Sequence, residues 1–131
     1  MQYPVFNFQL YQGADEFIPI AFYSDTEDAQ VPFIITSNDF IMTLKTDKSS
    51  EVLDQLTVAN GRIKLGIVKD NLFEEANEQA FAIKLHFPHE VTTKLQYPTV
   101  VYDLFRINTD GIRELMLQGK ITIEKSVSYG N

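Results

Sequence analysis

The stretch Val100-Val-Tyr-Asp-Leu-Phe-Arg-Ile107, Asn108-Thr-Asp-Gly111, Ile112-Arg-Glu-Leu-Met-Leu-Gln-Gly-Lys-Ile-Thr-Ile-Glu-Lys-Ser-Val127 decides the fold class. Val100 to Ile107 is dense in β-branched and aromatic residues, which fit a pleated, half-buried surface. Asn108 to Gly111 is a turn, with Gly111 free to take the positive φ that closes such loops. Ile112 to Val127 is the return strand, so the whole reads as a β-hairpin. Tyr102 and Leu104 point one way, and Val101, Phe105 and Ile107 the other; Ile121, Ile123 and Val127 share a face. Gly119 falls mid-strand, where a bulge or a bend is expected.

Working outward, the rest of the chain repeats the pattern. Tyr3 to Leu10 alternates as a first strand, and Tyr11 to Asp15 is a turn with Gly13 at its tip. Glu16 to Tyr23 is a second strand, placed at a sheet edge or bulged because Pro19 cannot donate a ladder hydrogen bond. Ser24 to Gln30 is an acidic loop, Val31 to Ile35 a short apolar piece, and Phe40 to Thr46 a clear strand. Glu51 to Leu56 reads as one helical turn or an extended piece. Leu56-Thr-Val58, Ala59-Asn-Gly61 and Arg62 to Val68 give the strongest tight-hairpin signal, since Asn-Gly suits a type I′ turn. Lys69 to Glu78 reads as an acidic loop with room for a helical turn. In Gln79 to Phe87, Phe81, Ile83, Leu85 and Phe87 face one way and Ala80, Ala82, Lys84 and His86 the other. Pro88 ends that strand, and Glu90 to Leu95 is a helical turn crossing between strands. The expected fold is all-β: a single domain over residues 1–131, an antiparallel β-sandwich (Ig-like or jelly-roll-like) of eight or nine short strands.

Bulk composition narrows the function classes. Apolar residues make up 44% of the 131 and aromatics 12%, too apolar for a disordered chain and long enough for a core. No apolar run nears the roughly 20 residues that span a bilayer, and the N-terminal stretch has no signal-peptide pattern. With no cysteine, neither disulfides nor thiolate metal sites arise. A net charge of −7 repels nucleic-acid phosphate, and no Lys/Arg cluster offsets it. The expected partners therefore include neither nucleic acid nor membrane.

Candidate chemistry is sparse. His86-Phe-Pro-His89-Glu90 gathers metal-ligand types, but Pro88 breaks the backbone between the histidines and spacing places no further ligand, so it reads as the polar tip of a strand. Ser24, Ser37, Ser49, Ser50, Ser126 and Ser128 lack a nucleophile-elbow context. Asp25, Glu27 and Asp28, like Glu74, Glu75 and Glu78, read as solvated acids without a calcium-loop pattern. Gly61 to Gly66 is not a phosphate loop. Asp103 reads as a buried acid with a raised pKa, as a hydrogen-bond acceptor, or as the partner of Arg106 or Arg113 across the hairpin. No catalytic residue, metal ligand or cofactor is expected.

In order, Gln12-Gly13 and an acid, Phe40-Ile-Met-Thr-Leu-Lys, Leu56-Thr-Val-Ala-Asn-Gly-Arg-Ile-Lys-Leu-Gly66, Phe81-Ala-Ile-Lys-Leu, Thr92 to Leu95, Val101-Tyr-Asp-Leu, Asp110-Gly111, Leu117-Gln-Gly-Lys-Ile-Thr-Ile123 and Val127-Ser128 resemble a family of small phage and prophage structural proteins. The chain is similar to the N-terminal domain of some phage baseplate proteins across about residues 6 to 128, departing in its longer stretches at Asp25 to Gln30 and Asn71 to Glu78. The resemblance implies a non-catalytic virion structural or assembly protein, tail or baseplate associated. It would be made in the bacterial cytoplasm, incorporated into the virion, homo-oligomeric, and partnered by other phage structural proteins. The expected interface residues are Tyr3, Phe6 and Tyr129, from termini that exchange between subunits. The competing expectation is a small carbohydrate-binding module that stacks sugar on Tyr11, Tyr23, Tyr97 or Tyr129. The lack of tryptophan counts against it.

Overall fold

A computed structural model describes residues 4–46 and 51–125. The strands are β1 (Phe8–Gln12), β2 (Glu16–Ala21), β3 (Tyr23–Asp25), β4 (Gln30–Pro32), β5 (Asp39–Lys45), β6 (Val52–Thr57), β7 (Ile63–Lys69), β8 (Leu72–Glu75), β9 (Ala82–Phe87), β10 (Thr99–Ile107) and β11 (Arg113–Lys125); α1 (His89–Lys94) is the helix. A five-stranded sheet runs β1-β11-β10-β5-β6, a four-stranded sheet β2-β9-β7-β8, and β3 pairs with β4 as a separate arm. The all-β class stands, and every strand pairing but one is antiparallel. The exception is β1, which lies parallel to β11 with Phe8 opposite Ile121. Eleven strands, not eight or nine, are formed among the described residues. Pro19 sits on β2, an edge strand, as its missing N–H demands.

The hairpin that decided the class is β10–β11. Asn108 closes its turn: its side-chain oxygen accepts from the amides of Asp110 and Ile112 at 2.9 and 3.0 Å, and Gly111 takes φ 81°. The bulge, however, lies between Leu104 and Phe105, opposite Leu117 and Leu115. Gly119 pairs regularly with Tyr102 and has another duty. A Cβ there would stand 2.2 Å from the Phe6 carbonyl oxygen and 2.9 Å from the Asn7 side-chain oxygen. The glycine marks where the N-terminal segment crosses against β11.

Two turns overturn the reading of the chain's middle. Asn60-Gly61 does not join a hairpin: β6 pairs with β5 in one sheet, while β7 pairs with β8 and β9 in the other. The turn carries the chain between sheets. The Asn60 side-chain oxygen accepts from the amides of Thr57 (3.0 Å) and Arg62 (3.1 Å), and its amide donates to the Gln55 carbonyl. These local bonds hold the turn without a strand ladder. The two-residue hairpin sits instead at Asp70-Asn71, with φ 53° and 64°, the left-handed pair that a type I′ turn requires and that Asp and Asn tolerate. It makes Leu72–Glu75 a strand where a loop was expected. Val52–Thr57 is extended, not helical.

One core draws on both sheets. Phe40, Met42, Leu44, Leu56, Val100, Tyr102, Leu104, Leu117 and Ile121 come from the larger sheet, and Ile63, Ile83, Leu85 and Phe87 from the smaller. Each such side chain contributes about 1.5–3 kcal/mol on burial. Arg62 stitches the sheets at one end. Its guanidinium forms a two-pronged pair with Asp54 of β6 (2.5 and 2.7 Å) and donates to the His86 carbonyl of β9. The short helix α1, starting one residue before the expected turn, is pinned on the β1–β2 turn by Thr92. That fully buried hydroxyl donates to the Ala14 carbonyl and accepts from the Gly13 amide.

Candidate interaction surface

The site grows out of the two-residue alternation of the smaller sheet. Because Ile63, Ile83, Leu85 and Phe87 face the core, their neighbours in sequence face outward. Strand register then brings Phe17 beside His86, Pro19 beside Lys84, Lys84 beside Lys64, and Gly66 beside Ala82. The rings of Phe17 and His86 are stacked with centroids 4.5 Å apart and nearly parallel planes, at 4°. The Lys84 ammonium is 5.3 Å from the centroids of both Phe17 and Phe73, held between two ring faces, where a cation is attracted by the aromatic quadrupole. Phe73 packs tightly over Gly66, where a Cβ would stand 2.6 Å from the ring and 2.1 Å from the Glu74 carbonyl. At the far end Tyr23 packs on Phe81 with centroids 5.6 Å apart. Phe17 stays 53% exposed. The result is an aromatic face carrying Lys64, Lys84 and His86 against Glu75, on a chain of net charge −7.

Of the expected interface residues, Phe6 lies away from this face. Tyr3 and Tyr129 lie outside the described residues. Phe6 is the outer end of an aromatic stack, 5.5 Å from Phe8, which in turn meets Tyr102 and Phe87. Its backbone is held: the amide donates to the Gln118 carbonyl at 3.1 Å, and its carbonyl accepts from the Tyr102 hydroxyl at 2.5 Å. Its ring remains partly accessible. Of the tyrosines of the sugar-binding expectation, Tyr11 and Tyr23 do not share a platform. Tyr11 lies at the start of the β1–β2 turn and Tyr23 beyond the other end of β2, a six-residue strand that spans roughly 20 Å.

The histidine cluster is divided. His86 is stacked on Phe17. His89 faces two acids, its Nδ1 3.1 Å from Asp15 and its Nε2 3.2 Å from Glu90. Asp15 also accepts the His89 backbone N–H at 2.7 Å. It thereby caps α1, whose preceding Pro88 supplies no capping side chain. That amide bond, then the imidazole, hold the Asp15 carboxyl below its ordinary value. Burial pushes the Tyr102 hydroxyl up to about 12. Asp103 lies opposite Gln118 and Thr43, while Arg106 pairs with Glu114 and covers Phe33, and Arg113 covers Phe105. The Asp103–arginine pairing is thus not the one formed.

Among the described residues no three His, Cys, Asp or Glu side chains gather to hold a metal ion. An open groove of about 810 Å³ runs between β2–β3 and the first half of β11, lined by Ile20, Phe22, Phe33 and Leu115 with Arg113 and Glu114. Sequence reasoning placed Phe17, Lys84 and His86 on strands but missed their assembly, which needs strand order; the alternation of Gln79 to Phe87 was the available signal. Neither a family model nor a curated protein matches this chain.

Proposed function

We propose that this chain is a non-catalytic structural or assembly component of a phage or prophage particle. In this reading it is a β-sandwich at the tail or baseplate, made in the bacterial cytoplasm and docked in the virion against its own copies and other particle proteins. The observation that carries the docking role is the half-exposed Phe17, stacked on His86 and beside Lys84 on the four-stranded sheet, since an aromatic ring exposed beside cationic groups offers an anchor for a partner. The phage context rests on the ordered run of motifs from Gln12-Gly13 to Val127-Ser128. One core fed by both sheets supports the sandwich reading. Support for a non-catalytic role comes from the two residues with shifted titration among those described: Asp15 caps a helix, and Tyr102 anchors the N-terminal segment. The acidic balance favours protein partners over nucleic acid.

The test is to purify intact particles from an induced culture of the source organism and quantify this polypeptide by mass spectrometry. A fixed copy number relative to the tail tube protein is the expected result. Expression in the cell with absence from intact particles would refute the reading.

A further inference from the structure

We propose that the aromatic face of the four-stranded sheet receives the acidic β3–β4 loop of a second copy of this chain, joining copies head to tail. The inference rests on the assembly reading above and names the surfaces that reading requires.

The receiving face has been built already: Lys84 held between Phe17 and Phe73, His86 stacked on Phe17, Lys64 beside Lys84. The incoming element is the tip of the β3–β4 arm, Asp25-Thr-Glu-Asp-Ala-Gln30, which carries Asp25, Glu27 and Asp28 and no cation. The arm forms a sheet of its own, separate from the two larger ones. Its loop is pre-shaped. The Thr26 amide and hydroxyl both donate to the Ala29 carbonyl, at 2.9 and 2.6 Å, and the Thr26 hydroxyl accepts the Ala29 amide at 3.1 Å. Gln30 ties down Asp25 at 3.1 Å, and Glu27 and Asp28 remain exposed. A loop already ordered loses little entropy on docking.

Charge selects the occupant. The face carries two lysines and a histidine against Glu75, and the arm tip carries three carboxylates. Among the described residues the ion pairs are Arg62–Asp54, His89–Asp15, His89–Glu90 and Arg106–Glu114; none joins this arm to this face within one chain. The two surfaces are different patches of the same molecule. Contact between copies is therefore heterologous, the arrangement that closes into a ring or continues as a stack, as a particle component needs.

The test uses the full chain in sedimentation velocity over a range of concentrations, with circular dichroism to confirm folding. Wild type is expected to self-associate. Lys84→Glu alone and Glu27→Lys/Asp28→Lys alone are each expected to weaken association by about tenfold or more, because like charges then face each other. Mixing the two variants is expected to restore association, since each reversed surface meets its complement in the other chain. A wild type that stays monomeric at every concentration would overturn the proposal, as would wild-type association by Lys84→Glu or a mixture no better than its parts. These outcomes are independent of particle content. A chain that associates through this face yet is absent from particles would sink the virion reading and leave the docking inference standing.

Discussion

The two large sheets turn very different faces to solvent. On the five-stranded sheet, Thr43, Asp103 and Gln118 sit in one cross-strand row and Lys45, Val101 and Lys120 in the next. Gln55 donates to Thr43, and the guanidinium of Arg113 covers the Phe105 ring at 4.9 Å. Polar groups pair with each other, and charge shields what is apolar. On the four-stranded sheet Phe17 stands half exposed beside its histidine even though the Lys84 ammonium lies over its ring. Both faces obey the same alternation, and both back onto the same core, so folding does not account for the difference. In the proposed reading, stability is written on the inner faces and docking on one outer face.

The largest effects should come from the glycines that let backbones or rings approach closely, one in each sheet. Gly119→Val places its Cβ where the Phe6 carbonyl sits, and Gly66→Val where the Glu74 carbonyl and Phe73 ring sit. Each should cost about 3 kcal/mol in denaturant unfolding. The comparison sharpens in the survivors: at conditions where both variants are folded, the one at Gly66 should also lose association, because Phe73 is displaced, and the one at Gly119 should keep it.

Arg62→Ala lies between the sheets. It leaves the largely buried Asp54 carboxylate and the His86 carbonyl without their shared donor, and should cost about 2–4 kcal/mol while leaving the docking face intact. Equal loss of association at matched folding would blur the separation of the two faces.

Tyr102→Phe removes the hydroxyl that holds the Phe6 carbonyl, at about 1 kcal/mol. Its pH signature is more specific. The folded-state value of Tyr102 is raised from 10.0 to about 12, so its contribution is fully present below pH 10 and is lost as pH climbs toward 12. Wild type should lose stability over that window, and Tyr102→Phe should lose less. Asp15 has the opposite sign. Its carboxyl is lowered from 3.8, so its contribution is present above that value and disappears as pH falls below it. Asp15→Asn should flatten that acid limb, read by thermal unfolding from pH 5 downward. The smallest change in folding belongs to Phe17→Ser, within about 0.5 kcal/mol of wild type, yet it should abolish association. Gln118→Ala on the other outer face should affect neither.

How much of this was legible in the sequence depended on range. The β10–β11 hairpin could be read because its turn chemistry and alternation are local and its strands are neighbours in the chain. Asn60-Gly61 has the same local chemistry but a different outcome. β6 takes β5 as its partner, β7 takes β9, and burying Leu56 and Ile63 in one core requires the chain to pass between sheets. No residue near the turn records that choice. Asp70-Asn71 was readable in principle, since both residues tolerate positive φ, but the surrounding acids masked a four-residue strand. Gly119 could be flagged but not explained, because the Phe6 carbonyl that crowds it comes from more than a hundred residues away in sequence. The aromatic face was hidden for the same reason: Phe17, Lys84 and Phe73 come from three strands, adjacent only once the strand order is known.

The most direct measurement is zero-length carbodiimide cross-linking of an equimolar mixture of ¹⁴N- and ¹⁵N-labelled chains, read by mass spectrometry. Peptides joining Lys84 to Glu27 or Asp28 with one light and one heavy partner are the expected product. Cross-links that join Lys84 to this loop only within single-isotope pairs, or that connect copies solely through the five-stranded sheet, would contradict docking on the aromatic face.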